Sequence, residues 1–405
     1  MTNFCVLDII QFGNLIPELY ICRMIPRLAA IELEAMARQF KSVAVVGPRQ
    51  SGKTTLVKHL FGNKPYVSLE NPDSRRFAID DPRGFLSLYP DGAVLDEIQR
   101  TPDLFSYLQQ RLDENPSPGQ FILTGSNNLL LQESISQSLA GRIAYLFLLP
   151  LSIGEIGADG LESAADLMLK GGYPPVYDQQ VEPQRWYANY IRTYIERDVR
   201  QLKNIIDLNA FERVIRLCAG RTGQLLNMAN LAIEAGMDAK TIGSWIGILE
   251  QSFIVHRLLP HHRNFSKRVV KMPKLYFYDT GLACALLGIQ NREQLIWHPL
   301  FGSLFENLMV SELIKNRFNK SQPDNLFFWR DNNGSEIDVI LDTPQGLFPI
   351  EIKSGQTVTT EYFKGLLFWQ KQTGKPEGII LYAGTGHEKR SNGIEILPWK
   401  QVCKV

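Results

Sequence analysis

GPRQSGKT, Gly47 to Thr54, follows the apolar run SVAVV and leads into TTLVKHL. The eight residues fit the spacing G-x-x-x-x-G-K-[ST]. Their order, a buried strand, a glycine-bearing loop and then a helix, is what binding a phosphate requires. The loop lets backbone N–H groups close around an anion, and the helix start adds its positive dipole end. Gly47, Pro48, Arg49, Gln50, Ser51, Gly52, Lys53, Thr54 and Thr55 are therefore the candidate nucleotide-binding residues. Lys53 is expected to supply a point charge to the β- and γ-phosphates of ATP, and Thr54 to hold Mg²⁺.

A site of this kind also needs an acid for the metal, and AVLDEIQR provides one forty-three residues after Lys53. Ala93, Val94 and Leu95 read as a buried strand end. Asp96 is then expected to hold Mg²⁺ through water, with Glu97 as general base toward the attacking water. The next apolar run, FILTGSNN, ends in Thr124, Ser126 and Asn127. Ser126 or Asn127 could sense the γ-phosphate, or could simply end the strand. Arg142, just before IAYLFLLPL, could act as an arginine finger, or equally form a surface ion pair.

Outward from the loop, short β-type runs alternate with helical segments from Lys41 to about Leu151, which predicts a parallel sheet covered on both faces. GPRQSGKTTL, VLDEIQ, FILTGSNN and LAGRIAYLFLLPLSIGE together resemble the AAA-type ATPases that carry a C-terminal DUF4143 region. The run PKLYFYDTGLACALLG, Pro273 to Gly288, is similar to the signature of that region. The resemblance spans about Ile25 to the C-terminus and implies an ATP-binding core, a winged helix and a nuclease-like tail. The chain departs from the family by a 23-residue N-terminal extension and by lacking an evident sensor-2 arginine.

The middle of the chain reads as a winged helix-turn-helix. FERVIRLCAG and LNMANLAIEAG form two helices, and Asp238 caps a third that places Ile242, Trp245, Ile246 and Leu249 on one face. FIVHRLLP and KLYFYD then form a hairpin. From Arg257 to Lys274 there are six Lys or Arg and no acid. Such a run suits DNA or RNA phosphates, although winged helices also serve as packing or protein-interaction modules.

In the tail, FGSLFENLMVSELIKNRF reads as a helix with Phe305, Leu308, Met309 and Leu313 on its inner side. FFWRDNNGSEIDVILD is a hairpin turning at Asn333-Gly334, and FPIEIKSG is a third strand. Asp338 with Glu351-x-Lys353 has the spacing of a restriction-endonuclease-like core. Alternation puts these three on one strand face. Asp338 and Glu351, supported by Glu306, could hold Mg²⁺, with Lys353 catalytic toward the attacked phosphate. A salt-bridge cluster without cleavage activity fits the same residues.

The chain has 405 residues, and 43 basic against 42 acidic side chains exclude a globally basic nucleic-acid binder. Five cysteines without a CxxC pair exclude a disulfide framework and the usual zinc spacings. No apolar run reaches the roughly 18 residues of a membrane span, and the N-terminus makes a poor signal peptide, so a cytoplasmic protein with no membrane partner is expected. Translation starting at Met24 is an alternative to Met1. The fold expected is α/β: an extension (1–23), a P-loop core with a parallel sheet (24–160), a helical lid or linker (161–208), a winged helix (209–290) and a nuclease-like domain (291–405). The function expected is an ATPase coupled to DNA or RNA. The alternative is a nucleotide-controlled switch that docks a protein partner and has a silent tail. A homo-oligomer is compatible with either.

Overall fold

The computed structural model describes residues 24–115, 117–126, 139–157, 161–194, 207–261, 270–331 and 334–405. The N-terminal extension, Asn127, Asn333 of the tail hairpin turn and the centre of the basic run (262–269) lie outside them.

Five strands form the first sheet: β1 Ser42–Val46, β2 Tyr66–Ser68, β3 Ala93–Asp96, β4 Phe121–Gly125 and β5 Ile143–Phe147. Their spatial order is β2-β3-β4-β1-β5 and every pairing is parallel. All five residues of β1 are buried, because helices cover both faces. Val43 and Val45 pack with Leu56 and Val57 of the helix Lys53–Leu60, beneath the N-terminal helix Ala30–Gln39. Ala44 and Val46 face the other way and join Phe105, Leu108 and Leu112 of the helix Leu104–Glu114.

After the first sheet the described residues form the helices Ile153–Ile156, Ala164–Lys170, Pro174–Asp178 and Pro183–Tyr194, and then a group of three, Leu208–Ala219, Met228–Ala235 and Ala239–Gln251. Asn227 caps the second, and Asp238 caps the third through the Thr241 N–H. Strands β6 Gln224–Leu225, β7 Val255–Pro260 and β8 Lys274–Phe277 follow the expected antiparallel hairpin, with β6 added at its edge. The hairpin is not free-standing. Strand β7 pairs in parallel with β9, Leu326–Arg330, through Leu259 and Pro260. The hairpin is thereby joined to β10 Glu336–Thr343, β11 Gly346–Lys353, β12 Gly378–Tyr382, β13 Glu388–Lys389 and β14 Ile394–Pro398 in one nine-stranded sheet.

The helix Phe301–Asn319 differs from the one-sided helix its sequence suggests. Leu304, Phe305, Leu308 and Leu313 are buried, and so are Asn307, Ser311, Glu312, Lys315 and Asn316 on the other faces. It runs between the two sheets: Phe318 packs on Phe147 of β5 with ring centroids 5.1 Å apart, and Asn307 clamps the Phe277 backbone of β8 through both its amide atoms. The two halves of the chain thus share one continuous core. Among the described residues no helix is long and apolar enough to cross a membrane.

Candidate functional site

The loop after β1 is shaped by its two glycines. A Cβ on Gly47 would overlap the Leu148 carbonyl oxygen, and Gly52 takes φ +92°, the left-handed region that disfavours side chains. The helix begins at once with Lys53, which is only 5% exposed. Its ammonium curls back to donate to the carbonyls of Gly47 (3.0 Å) and Pro48 (2.7 Å), inside the bend of the loop. The Ser51 hydroxyl is buried with no hydrogen-bond partner among the described residues. A cation held inside a curl of backbone, with a spare buried hydroxyl and a helix N-terminus, fits phosphate oxygens. Thr55 points to solvent.

Thr54 and Asp96 meet although 42 residues separate them: the Thr54 hydroxyl donates to both carboxylate oxygens at 3.1 Å. Two further hydroxyls converge on Asp96. Tyr66 of β2 donates to Oδ2 at 2.6 Å, and Thr124 of β4 donates to Oδ1. Burial, with the Asp96 carboxylate beside it, pushes the Tyr66 phenol well above its ordinary range, so it stays a donor. Parallel pairing of β3 with β4 places Thr124 beside Asp96 at the carboxyl end of the sheet, and Tyr66, level with Val94 at the beginning of β2, reaches the same carboxylate with its phenol.

Glu97 adopts φ 57°, uncommon for a residue with a side chain. The turn is held by its N–H donating to the Thr124 hydroxyl at 3.2 Å. Its carboxylate accepts from Ser126 at 2.9 Å and from the Gln99 side-chain amide. Ser126 therefore lies beside the acid, while Asn127 is outside the described residues. Arg142 is a different case. Its carbonyl accepts from Ser42 N at the beginning of β1, and its guanidinium holds Asp113 at 2.6 and 2.9 Å. That end of the sheet is opposite to the loop, about 15 Å away along a five-residue strand. Of the two readings of Arg142, the geometry gives the surface ion pair; it does not reach a phosphate on its own loop.

One residue that the sequence does not single out holds the loop at the Ser51 carbonyl. Arg27 donates to the Ser51 carbonyl (2.6 Å), the Leu149 carbonyl (2.7 Å) and Glu155 (2.9 Å). Ser152 and Glu155 form a capping box on a short helix, Ile153–Ile156. The spacing S-x-x-E in LSIGE was a readable signal for that cap. Nothing local announces that an arginine 128 residues away would complete it.

The same region is tied to the C-terminal half. Glu312 accepts from Ile153 N (2.7 Å), and Lys315 donates to Glu312 (2.8 Å) and to the Leu151 carbonyl (3.0 Å). The Leu151 N–H donates to the Gly172 carbonyl, whose own N–H donates to Asp279 at 2.7 Å. Asp279 also accepts from Tyr187 and caps the helix Thr280–Leu286.

In the tail, Asp338, Glu351 and Lys353 do come together: the two carboxylates are buried and the lysine is partly exposed. Lys353 donates to Glu351 (2.6 Å) and Asp338 (3.2 Å), while Asp338 also accepts from Ile352 N. Glu306 accepts from Lys274 (2.8 Å) and Tyr276 (2.5 Å). Burial raises the Glu351 carboxyl well above its ordinary range, and neighbouring Asp338 adds to this. Burial raises Glu306 as well. Asp338 goes the other way: burial opposes ionisation, but Lys353 and Lys274 hold it below the usual range. Ammonium groups bridge the acids. Among the described residues no group of three or more His, Cys, Asp or Glu is placed to hold a metal ion; Lys353 joins Asp338 to Glu351, and Lys274 holds Glu306.

Residues 39–157 match the AAA domain family, 161–293 a domain of unknown function (DUF8612), and 301–402 a domain of unknown function (DUF4143). The run Pro273–Gly288, expected to be a DUF4143 signature, falls inside the second match instead. An uncharacterized protein of Mycobacterium tuberculosis is 33% identical over 343 residues, 83% of this chain and 76% of its own length. One of Haemophilus influenzae is 21% identical over 210 residues, 48% of this chain and 50% of its own. Among solved structures, a Walker-type ATPase of Pyrococcus abyssi aligns with TM-score 0.44 and 13% identity over 64% of this chain and 94% of that one. AMPPCP-bound DnaA from Aquifex aeolicus aligns with TM-score 0.28 and 13% identity over 55% and 86%.

Proposed function

Since the chain belongs to the family of AAA-domain P-loop ATPases with a C-terminal DUF4143 region, we propose that it binds ATP with Mg²⁺ at Gly47–Thr54 and hydrolyses it. The observation that carries this reading is the pairing of Thr54 with Asp96 at 3.1 Å, the hydroxyl and the acid that a phosphate-bound cation needs side by side. Lys53 exchanges its two loop carbonyls for phosphate oxygens. Thr54 and Asp96 hold the cation, with Tyr66 and Thr124 fixing the carboxylate. Bound Mg²⁺ supplies charge neutralisation of the phosphates. Glu97, oriented by Ser126 and Gln99, accepts the proton of the attacking water. Purified protein should release phosphate from ATP only when Mg²⁺ is present. A wild-type chain that neither binds nor hydrolyses ATP defeats the reading.

The remaining question is what the cycle drives. One reading couples it to DNA or RNA through a winged helix (helices Leu208–Ala219, Met228–Ala235 and Ala239–Gln251 with the β7–β8 hairpin) and a restriction-endonuclease-like tail. The second is a nucleotide-controlled switch with a silent tail, and it is favoured by the Lys353 and Lys274 bridges across Asp338, Glu351 and Glu306. Plasmid incubated with Mg²⁺ or Mn²⁺ separates them. Nicking that disappears in Asp338→Ala and Lys353→Ala supports the nuclease, and intact plasmid supports the switch. ATPase stimulation by DNA would support nucleic-acid coupling whichever way the tail behaves.

A further inference from the structure

Arg27 spends a buried guanidinium on the back of the phosphate loop, and the peptide it holds explains why. Its side chain is 5% exposed and that of its partner Glu155 is 0% exposed. Desolvating such a pair is costly and is offset when each nitrogen of the guanidinium finds an acceptor. All three of the Arg27 nitrogens have an acceptor: Ser51 O, Leu149 O and Glu155. Glu155 is likewise filled, accepting from Leu28 N (2.9 Å), Ser152 N (2.8 Å) and the Ser152 hydroxyl (3.1 Å). The guanidinium therefore links three points: the loop, the chain leaving β5 and the capped turn.

The Ser51–Gly52 peptide is trans, since the chain has no cis bond among the described residues. In a trans peptide the C=O and N–H point in opposite directions. With the Ser51 oxygen held by Arg27, the Gly52 N–H points away from Arg27. Gly52 sits at φ +92°, a conformation glycine shares with several others. Without an external hold, that peptide could turn at low cost. We infer that Arg27 is a positioning residue for nucleotide binding: by fixing the Ser51 carbonyl it presets the Gly52 N–H for the phosphates of a nucleoside di- or triphosphate. This rests on the ATP-binding reading above, and the following test separates the two.

The full-length chain is titrated calorimetrically with MgADP and with AMP, and its melting is recorded without ligand. Arg27→Lys keeps a charge for Glu155 but cannot span three acceptors. MgADP should weaken by roughly ten- to a hundredfold, the effect of losing one hydrogen bond to a charged group. AMP, which lacks the phosphates held by the loop, should change less than about twofold. In case Arg27→Lys fails to fold, Arg27→Met with Glu155→Gln removes both charges together, and it should melt cooperatively yet show the same MgADP loss. Glu155→Gln alone keeps the Arg27 bonds to Ser51 and Leu149. It should melt earlier while holding MgADP within twofold of wild type. Unchanged MgADP affinity in the Arg27 variants overturns the inference, as does an equal loss in Glu155→Gln, which would indicate packing alone. A wild type that binds no MgADP refutes the ATP reading itself.

Discussion

Replacing Lys315 by methionine should destabilise the chain far more than replacing Lys315 and Glu312 together. Both side chains are buried, 4% and 2% exposed, on the helix that runs between the two sheets. Lys315→Met leaves the Glu312 charge with a single donor, Ile153 N, and strips the Leu151 carbonyl of its ammonium. Breaking a buried pair from one side costs about 3–5 kcal/mol. Glu312→Gln in the same chain removes the stranded charge, and its amide oxygen can still accept from Ile153 N. What then remains is the lost bond to Leu151 O, about 1 kcal/mol. The double variant is therefore more stable than the single one by about 2–4 kcal/mol. At roughly 2–4 °C per kcal/mol for a cooperative unit of ~150–250 residues, the single variant melts several degrees below the double one.

The assay is calorimetric melting of wild type, single and double variants at pH 7 and pH 5. The sign with pH follows from burial, which raises the Glu312 carboxyl above its ordinary range even with Lys315 lowering it. The folded chain then binds the proton more tightly than the unfolded one. Stability is lost as pH rises from the unfolded value of about 4.3 through the folded value, and is regained on acidification. Without Lys315 that window moves up, so Lys315→Met should recover part of its deficit at pH 5 and the double variant should not. Equal melting of single and double variants, with no recovery at pH 5, would refute the reasoning.

Glu97→Gln should bind MgATP with near wild-type affinity while phosphate release falls by roughly a hundredfold or more, the contribution of a general base; rapid filtration and a phosphate assay measure the two. Arg142→Ala should leave phosphate release within twofold of wild type, because its guanidinium faces Asp113 at the far end of the sheet; a large loss would mean that it acts on the nucleotide of another copy. Gly171→Ala should lower the melting temperature strongly. The position has φ +63°, and a Cβ there would overlap the Tyr187 hydroxyl and Asp279, so the backbone cost of about 1–3 kcal/mol is only part of the loss.

What could be read from the sequence was whatever is written locally. The strand-loop-helix at Ser42–Leu60 and the acid at the end of β3 carry their signals in consecutive residues, and Thr54 does meet Asp96. The cap at Asp238 and the alternation in β10 and β11 are of the same kind. What escaped depends on partners far along the chain. Arg27 is one arginine before a helix until Glu155 and Ser51 reach it. The helix Phe301–Asn319 looks one-sided because Glu312, Lys315 and Asn316 are polar, yet each is buried against an acceptor or donor from another element. The β7–β9 pairing joins strands more than sixty residues apart and has no pattern of its own. In the tail, spacing located Asp338, Glu351 and Lys353 but said nothing of Lys274, whose ammonium sits between Glu306 and Glu336.

The most direct trial of the account is a calorimetric titration of ATP into the purified wild-type chain and Lys53→Ala, each with Mg²⁺ and with the metal chelated. One saturable site in the wild type, tighter with Mg²⁺ and absent in Lys53→Ala, is the predicted result. Binding that ignores both the metal and the lysine, or no binding to the wild type, would contradict the placement of the triphosphate at Gly47–Thr54.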